Sequence, residues 1–565
     1  MKLSSGYKVS IHKNGRYQYA STQPLVDIDK NGKRCYKRLH WGIVDNNKFY
    51  PNKDFLLLPN SEKRKFIFPE TWDISEIHSS NIPDQYSNKL YGDIWLLEQI
   101  TEKLGLREDL LETFDNRTDI VDAILTLAYY KITQNDSYSH INSWQKIVKT
   151  PIDYSLTPQY ITKLSSLITD NHRIKFFITR FKNTQTLQND ICAIDSTSVS
   201  CTSDKLVDAR FGKNKDGDTL PQTNEVVVYG LKSHLPLYYR TLPGNMPDIR
   251  SLETIMNDLK TVGMTNHIFI TDRGYGSLDN LHYYQKNKIA CIMGVSTSQY
   301  IVTSRLKELD LDTFSFPDWD FDDITETYSK QYKIEKNTNL NIYIDINRRF
   351  NIFKFINKEM TRQRNILDEY IKNKTLLNKD VISKKFKFYD LNFKDQELIS
   401  YVPKGKTIKT LTNHAGIYAN ITYNVNLPTD EVNLLYRTRD EQEKYFAQMK
   451  GALNSNRHRT SNEYHKIGRQ FILFISQIIA CHLQYLRKEH LADIFPSNDS
   501  ILKEMRSIRY VTNPDREDFI TPFIGKQHLI VESFGFTFPE GCGSENSRIN
   551  NRVNSGIMAY KKKQL

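Results

Sequence analysis

The reading of the fold turns on residues 267–275, His267-Ile-Phe-Ile-Thr-Asp272-Arg-Gly-Tyr275. A compact apolar run bounded by turn signals predicts a buried strand that ends at an acid. Working backwards, Ile249 to Val262 carries helical spacing. Before it stand three strand-like runs: Ile191-Cys-Ala-Ile194, Glu225-Val-Val-Val-Tyr229 and Leu235-Pro-Leu-Tyr-Tyr239. The short link around Lys232 to His234 predicts an antiparallel meander. Working forwards, a helix is expected over Leu278 to Lys286 and a strand over Ile289 to Val295. The order is three strands, helix, strand, helix, strand, an α/β unit.

Asp195 and Asp272 each follow an apolar strand. Taken singly, either is more readily a turn or cap residue than a functional one. A third acid lies far along the chain. From Pro428-Thr429-Asp430 the pattern predicts one long helix through about Lys450, stopped at Gly451. At 100° per residue, Tyr436, Arg439, Glu443 and Lys450 share an arc of about 60° on that helix. Glu441 falls on another face. Phe446 and Ala447 flank the stripe, so this face is not simply the solvated one. A carboxylate between Arg and Lys on a part-buried face is a candidate site; an ion-paired surface stripe is the bland alternative.

Tyr436-x2-Arg439-x3-Glu443-x6-Lys450 resembles the Y-x2-R-x3-E-x6-K signature of bacterial insertion-sequence DDE transposases of the insertion-sequence-four superfamily, most like the insertion-sequence-1634 type. Ile194-Asp195-Ser-Thr197 is similar to the family's first Asp motif, and Phe269-Ile-Thr-Asp272-Arg-Gly-Tyr275 to its second. Tyr239-Arg-Thr-Leu-Pro-Gly-Asn245, followed by Asp248, resembles its strand and turn. The usual arginine-rich run after Lys450 is replaced by Asn454-Ser-Asn-Arg457-His-Arg459. The resemblance implies an α/β protein. Its RNase H-like catalytic core would be interrupted by a β-rich insertion and preceded by a small β unit and an all-α domain.

The resemblance also implies the chemistry. Asp195, Asp272 and Glu443 would be the catalytic acids and the metal ligands. They would hold two Mg²⁺ ions, for which Mn²⁺ can substitute. Asp195 would bridge both ions, and Asp272 and Glu443 would each hold one. Hard carboxylate oxygens suit such ions, and a two-metal site serves phosphodiester hydrolysis and strand transfer. Tyr436, Arg439 and Lys450 would contact DNA phosphates. Arg457 and Arg459, with His458, His465, Lys466 and Arg469, would continue that surface; a solvated helix entrance is the competing account. Arg273 is a phosphate contact or an ion-pair partner of Asp272.

The expected function is cleavage of the ends of the protein's own insertion sequence and their joining to target DNA. The expected partners are double-stranded DNA and a second copy in a synaptic homodimer. Two other functions remain open: a metal-dependent nuclease without joining activity, and a catalytically silent, transposase-derived DNA-binding protein.

Composition agrees with this class. The 565 residues are 39% hydrophobic and 25% charged, with a formal net charge of +12. That material supports real cores, and the basic balance favours a polyanionic partner. The start, MKLSSGYKVSIHKNGRYQ, has no apolar signal core. Phe471 to Leu486 is apolar but too short to span a bilayer, and predicts a buried helix. Six scattered cysteines with no CxxC pair exclude a zinc module or a disulfide framework. The expected location is the bacterial cytoplasm, at the nucleoid, with no membrane partner.

The expected organisation has six parts. Residues 1–88 form a β-rich unit with turns at Asn14-Gly15 and Asn31-Gly32. Its Lys8, Lys13, Arg16, Lys33, Arg34, Lys37 and Arg38 are either a DNA contact or solvated faces. Residues 89–186 are helical, with Asp93 and Thr118 as candidate caps. Residues 187–299 and 425–490 are the two parts of the core. Residues 300–424 are the insertion, with strands at Asn341 to Ile346 and Lys385 to Tyr389 and one helix, about Lys358 to Lys372. Residues 491–565 are a mixed segment ending in Lys561, Lys562 and Lys563.

Overall fold

A computed structural model of the chain describes residues 7–539, apart from 15–16, 24, 29–33, 37, 57, 59, 75–86, 204, 308, 310, 312–314 and 513–517. Gly15, Asn31, Gly32, Arg16, Lys33, Lys37 and the basic tail therefore lie outside the described residues. Two compact units emerge: residues 1–88 with 511–519, and residues 89–510 with 520–565.

In the first unit, Ser10–Asn14, Tyr17–Thr22, Leu39–Asp45 and Lys48–Pro51 pair in that order as an antiparallel sheet. Its core is largely aromatic, with Phe49, Phe55, Phe66 and Trp72 buried. Lys8 and Lys13 are exposed, and Arg38 reaches His12 at 3.0 Å.

The second unit begins with helices α1 (Gly92–Lys103), α2 (Leu106–Thr113), α3 (Thr118–Gln134), α4 (Pro158–Leu167) and α5 (Asp170–Asn183). Asp93 is not the cap of α1. It lies in the first turn, buried, and accepts from Arg506 Nε at 2.9 Å. A buried acid needs such a partner. Likewise Thr118 is the first residue of α3, one position inside the cap. These helices share one hydrophobic core with the sheet that follows.

That sheet has ten strands: β1 (Ile191–Cys201), β2 (Gln222–Gly230), β3 (Leu235–Pro243), β4 (Ile268–Thr271), β5 (Cys291–Val295), β6 (Asp320–Asp322), β7 (Thr327–Glu335), β8 (Thr338–Asp345), β9 (Ile417–Tyr423) and β10 (Arg457–His458). The path runs β3-β2-β1-β4-β5-β9-β8-β7-β6, and β10 pairs with the far end of β1. β2 is antiparallel to β1, whereas β4 and β5 run parallel to it. Helices α6 (Asp248–Thr261) and α7 (Leu278–Lys286) connect β3 to β4 and β4 to β5. Near-continuous burial along β1 and β5 explains their unbroken apolar runs.

β1 does not end at Asp195, as the sequence reading had it. It continues through Ser196-Thr-Ser-Val-Ser-Cys201, whose polar residues are buried and paired with β2. Asp195 is thus mid-strand.

The insertion also differs from expectation. Its β6, β7, β8 and β9 join the main sheet, with β9 hydrogen-bonded between β5 and β8. Helix α8 (Ile346–Lys372) is 27 residues long, and the segment carries further helices, among them Lys379–Lys385. The strand expected at Lys385 to Tyr389 lies instead at Tyr389–Lys394, in a hairpin with Glu397–Pro403. Phe386 and Phe388 are apolar because they fill a small separate core, not because they alternate in a strand.

The long helix from Thr429 is two helices, α9 (Thr429–Thr438) and α10 (Asp440–Lys450), broken at Arg439. Gly451 follows α10 as expected. Helix α11 (Glu463–His490) buries the apolar stretch Phe471 to Leu486. It passes so close to α4 that a Cβ at Gly468 would lie 2.0 Å from the Ser165 carbonyl oxygen. Among the described residues, no helix is long and apolar enough to cross a membrane.

Candidate active site

Ile194 of β1 pairs with Thr271 of β4 in parallel register. The next residue of each chain segment is an acid, mid-strand Asp195 on one and Asp272 just past the end of β4 on the other, so the pairing brings the two acids close enough to feel each other's charge. Asp195 is enclosed, with 13% of its side chain exposed. Burial pushes its carboxyl above the usual range and Asp272 adds to this, against the Lys215 ammonium and the Ser196 N–H. That N–H donates to Asp195 Oδ1 at 2.7 Å. Asp272 caps the short turn Arg273–Tyr275, where the Arg273 N–H donates to its Oδ1 at 2.5 Å.

Helix α10 is seated on the same sheet by Gln442, whose buried Nε2 donates to the Val227 carbonyl at 2.8 Å. Val227 pairs directly with Asp195. The adjoining Glu443 is exposed and meets Arg439: Arg439 Nη2 lies 3.7 Å from Glu443 Oε1, and Arg439 Nη1 lies 3.7 Å from Asp272 Oδ2. Arg439 is itself 13% exposed, and its Nε has no hydrogen-bond partner among the described residues. Burial disfavours its charge, but Asp272, Tyr436, Asp195 and Glu443 together outweigh that and hold it protonated. One guanidinium therefore joins the second acid to the third.

Tyr436 covers this cation, with Arg439 5.6 Å from its ring centroid. Burial first, then Asp272, pushes its phenol up to about 12. The hydroxyl packs onto Gly294 of β5, where a Cβ would lie 2.3 Å from it.

The family model described as Transposase DDE domain matches residues 186–476, just over half of the chain. This chain belongs to the DDE transposase family. Among solved structures, the cryo-EM structure of a piggyBac transposase synaptic complex with hairpin DNA is similar at 10% identity and a TM-score of 0.35. The match covers 75% of this chain and 82% of that one. No curated protein matches.

In this transposase most of the remaining basic residues have protein partners. Lys450 Nζ holds both carboxylate oxygens of Asp216, at 2.6 and 2.7 Å. Arg457 Nη2 reaches Asp218 Oδ2 at 3.2 Å. Arg459 donates to Asn454 Oδ1 at 2.8 Å. Arg457 and Arg459 both line a cavity of about 330 Å³. Arg273 is adjacent to Asp272, and its backbone nitrogen lies close to Gly294. Lys466 does not continue a basic surface: it is 1% exposed and clasped by Asp208 and Glu463. His458 is likewise turned inward, on Thr223 at 2.8 Å.

Two residues near Asp195, one in contact with it and one joined to it through Ser196 and Lys215, are not among the site residues expected from the sequence. Lys215 Nζ donates to the Ser196 carbonyl at 2.6 Å and Ser196 Oγ at 3.0 Å, and lies 3.4 Å from Asp195 Oδ1. Asp248, the first residue of α6, accepts from Ser196 Oγ at 2.5 Å and lies 3.6 Å from Lys215. Asp248 sat within a motif already noted; Lys215, alone in a polar loop, had no local signal.

The donor chemistry of Asp195, Asp272 and Glu443 fits a hard divalent cation. Among the described residues, no three His, Cys, Asp or Glu side chains stand together as a metal-holding group. At the three acids, the charge that links the second to the third is that of Arg439.

Proposed function

We propose that this protein is a DNA transposase that cuts the ends of its own insertion sequence and joins them to target DNA. The observation that carries the reading is the parallel pairing of Ile194 with Thr271, which brings the acids that follow them, Asp195 and Asp272, to one place, with the helix of Glu443 tied to Asp272 through Arg439. The order β3-β2-β1-β4-β5, with only β2 reversed, supports an RNase H-like core. Tyr436, Arg439, Glu443 and Lys450 at their spacing support kinship with the insertion-sequence-four superfamily, and with the insertion-sequence-1634 type within it.

Asp195, Asp272 and Glu443 would hold Mg²⁺ or Mn²⁺, two ions in the active protein. When bound, such ions activate the attacking oxygen and stabilise the leaving one. The protein's own groups do the rest. Gln442 fixes the depth of Glu443, and the Ser196 N–H orients Asp195. Arg439 and Lys450 bind backbone phosphates, and Tyr436 hydrogen-bonds one. Arg273, Arg457 and Arg459 extend this contact, and two copies of the chain pair two DNA ends.

The test is Asp195→Asn, assayed with element-end duplex, target DNA and Mg²⁺. The expected result is loss of both cleaved and joined products. Losing several kcal/mol of charge stabilisation slows the reaction by roughly 10³-fold. A variant that cleaves and joins normally refutes the reading. Cleavage without joined products in the natural protein would make it a nuclease.

A further inference from the structure

Beyond Asp195, the outer edge of β1 loses its neighbour. β4 ends opposite Ile194, and β10 begins opposite Ser200. The loop between β1 and β2 crosses this gap. The loop's neck is closed by reciprocal backbone bonds between Arg210 and Gln222, both 2.9 Å. At its tip Asn214 folds a turn: its Oδ1 accepts from the Asp216 N–H at 2.7 Å, and Gly217 sits at φ +74°, where glycine alone is unstrained. The tip lies on β1 through Lys215 N–H to Ser198 Oγ and Asn214 Nδ2 to Ser200 Oγ, both 3.2 Å.

Three charged residues of this tip each meet an opposite charge. Lys215 is set against Asp195 and Asp248. Asp216 grips Lys450, and Asp218 reaches Arg457. An ammonium therefore stands against Asp195, the first of the three acids read above as metal ligands. Two carboxylates stand on cations that would otherwise face phosphates.

We infer that residues 210–222 form an autoinhibitory strap, a built-in mimic of both DNA and metal, which DNA must lift to engage the site. This rests on the reading above of Lys450 and Arg457 as DNA contacts. The mimicry has a physical purpose. It keeps a set of acids and a set of bases satisfied until a polyanion competes for the bases. The strap tip is exposed and held by a few ion pairs and side-chain hydrogen bonds, each of modest strength, so competition by several phosphates suffices to release it. Lifting the strap also withdraws Lys215 from Asp195, so binding of DNA and exposure of the acids are one event.

Two measurements test this. The first is affinity for a short element-end duplex in EDTA, for the natural protein, D216N/D218N and K450A/R457A, each checked for folding by thermal melting. D216N/D218N is expected to bind about three- to tenfold more tightly, the worth of two exposed ion pairs. K450A/R457A is expected to bind more weakly. The second is limited trypsin digestion of the natural protein, which needs no variant. DNA is expected to speed cutting after Lys213 and Lys215 as the strap lifts.

Unchanged or weaker binding by D216N/D218N, or slower cutting with DNA, overturns the strap. If K450A/R457A nevertheless loses affinity, the DNA reading of those cations stands and the strap alone has failed. If K450A/R457A binds as the natural protein does, that reading fails as well.

Discussion

Arg439 and Glu443 face one another across one helical turn, with 3.7 Å between Nη2 and Oε1, although the helix is broken at the arginine itself. The same guanidinium meets Asp272 at 3.7 Å. Removing its charge leaves two carboxylates with no mutual counter-ion. Arg439→Gln is expected to lower stability by about 1 kcal/mol, since both acids are partly exposed and screened. Mn²⁺ is expected to raise the melting temperature of the variant more than that of the natural protein. Equal melting of the two proteins in EDTA would refute the stabilising role.

The seat of Glu443 depends on its neighbour. Gln442→Ala removes the buried donor to the Val227 carbonyl. The expected cost is about 1–3 kcal/mol, read from urea unfolding. A drop in DNA cleavage under native conditions should accompany it, because Glu443 is carried by the same turn.

Gly294 allows Tyr436 to lie flat against β5. Gly294→Ala places a methyl 2.3 Å from the phenol oxygen and 2.8 Å from the Arg273 nitrogen. Overpacking of this kind costs about 1–3 kcal/mol. The double variant with Tyr436→Phe removes the nearer clash and is expected to recover part of that loss. Additive costs would mean that the two residues do not meet.

Glu98 supplies a pH test far from the site. Burial pushes its carboxyl up to about 7, although the Tyr91 hydroxyl donates to it at 2.6 Å. A folded value above the unfolded one gives stability that is complete below the unfolded value and lost as pH rises through about 7. Between pH 4.5 and 8 this residue withdraws on the order of 1–3 kcal/mol. Glu98→Gln should flatten the stability profile over that window. A profile as steep as the natural one would refute the assignment.

Much of the core was legible because its signals are local. The run ending at Asp272 is apolar, short and closed by Arg273-Gly274. Helix α7 was read with its observed ends, Leu278 and Lys286. What was missed depends on distant chain. Ser196 to Ser200 look like a turn until β2 pairs with them. The break at Arg439 cannot be read from a wheel that assumes a continuous helix. β8 and β9 pair across intervening helices and a hairpin, a contact with no local trace. At the site, the Tyr436 stripe was visible as helical spacing and the two aspartates as acids following apolar strands, while their grouping with Glu443 came from the family resemblance. Asp216 on Lys450, 234 residues apart, was not. Nor could sequence reveal that an arginine, rather than proximity alone, links Glu443 to Asp272.

The weaving of β9 between β5 and β8 has a consequence for how such a chain can shrink. Residues 300–424 interrupt the core in sequence but complete it in space. A chain respliced from 299 to 425 would leave the ladder groups of β5 bare, an open edge that recruits other chains into aggregates. The segment is therefore not a detachable cassette, and any shortened descendant must retain β9 or grow a substitute for it.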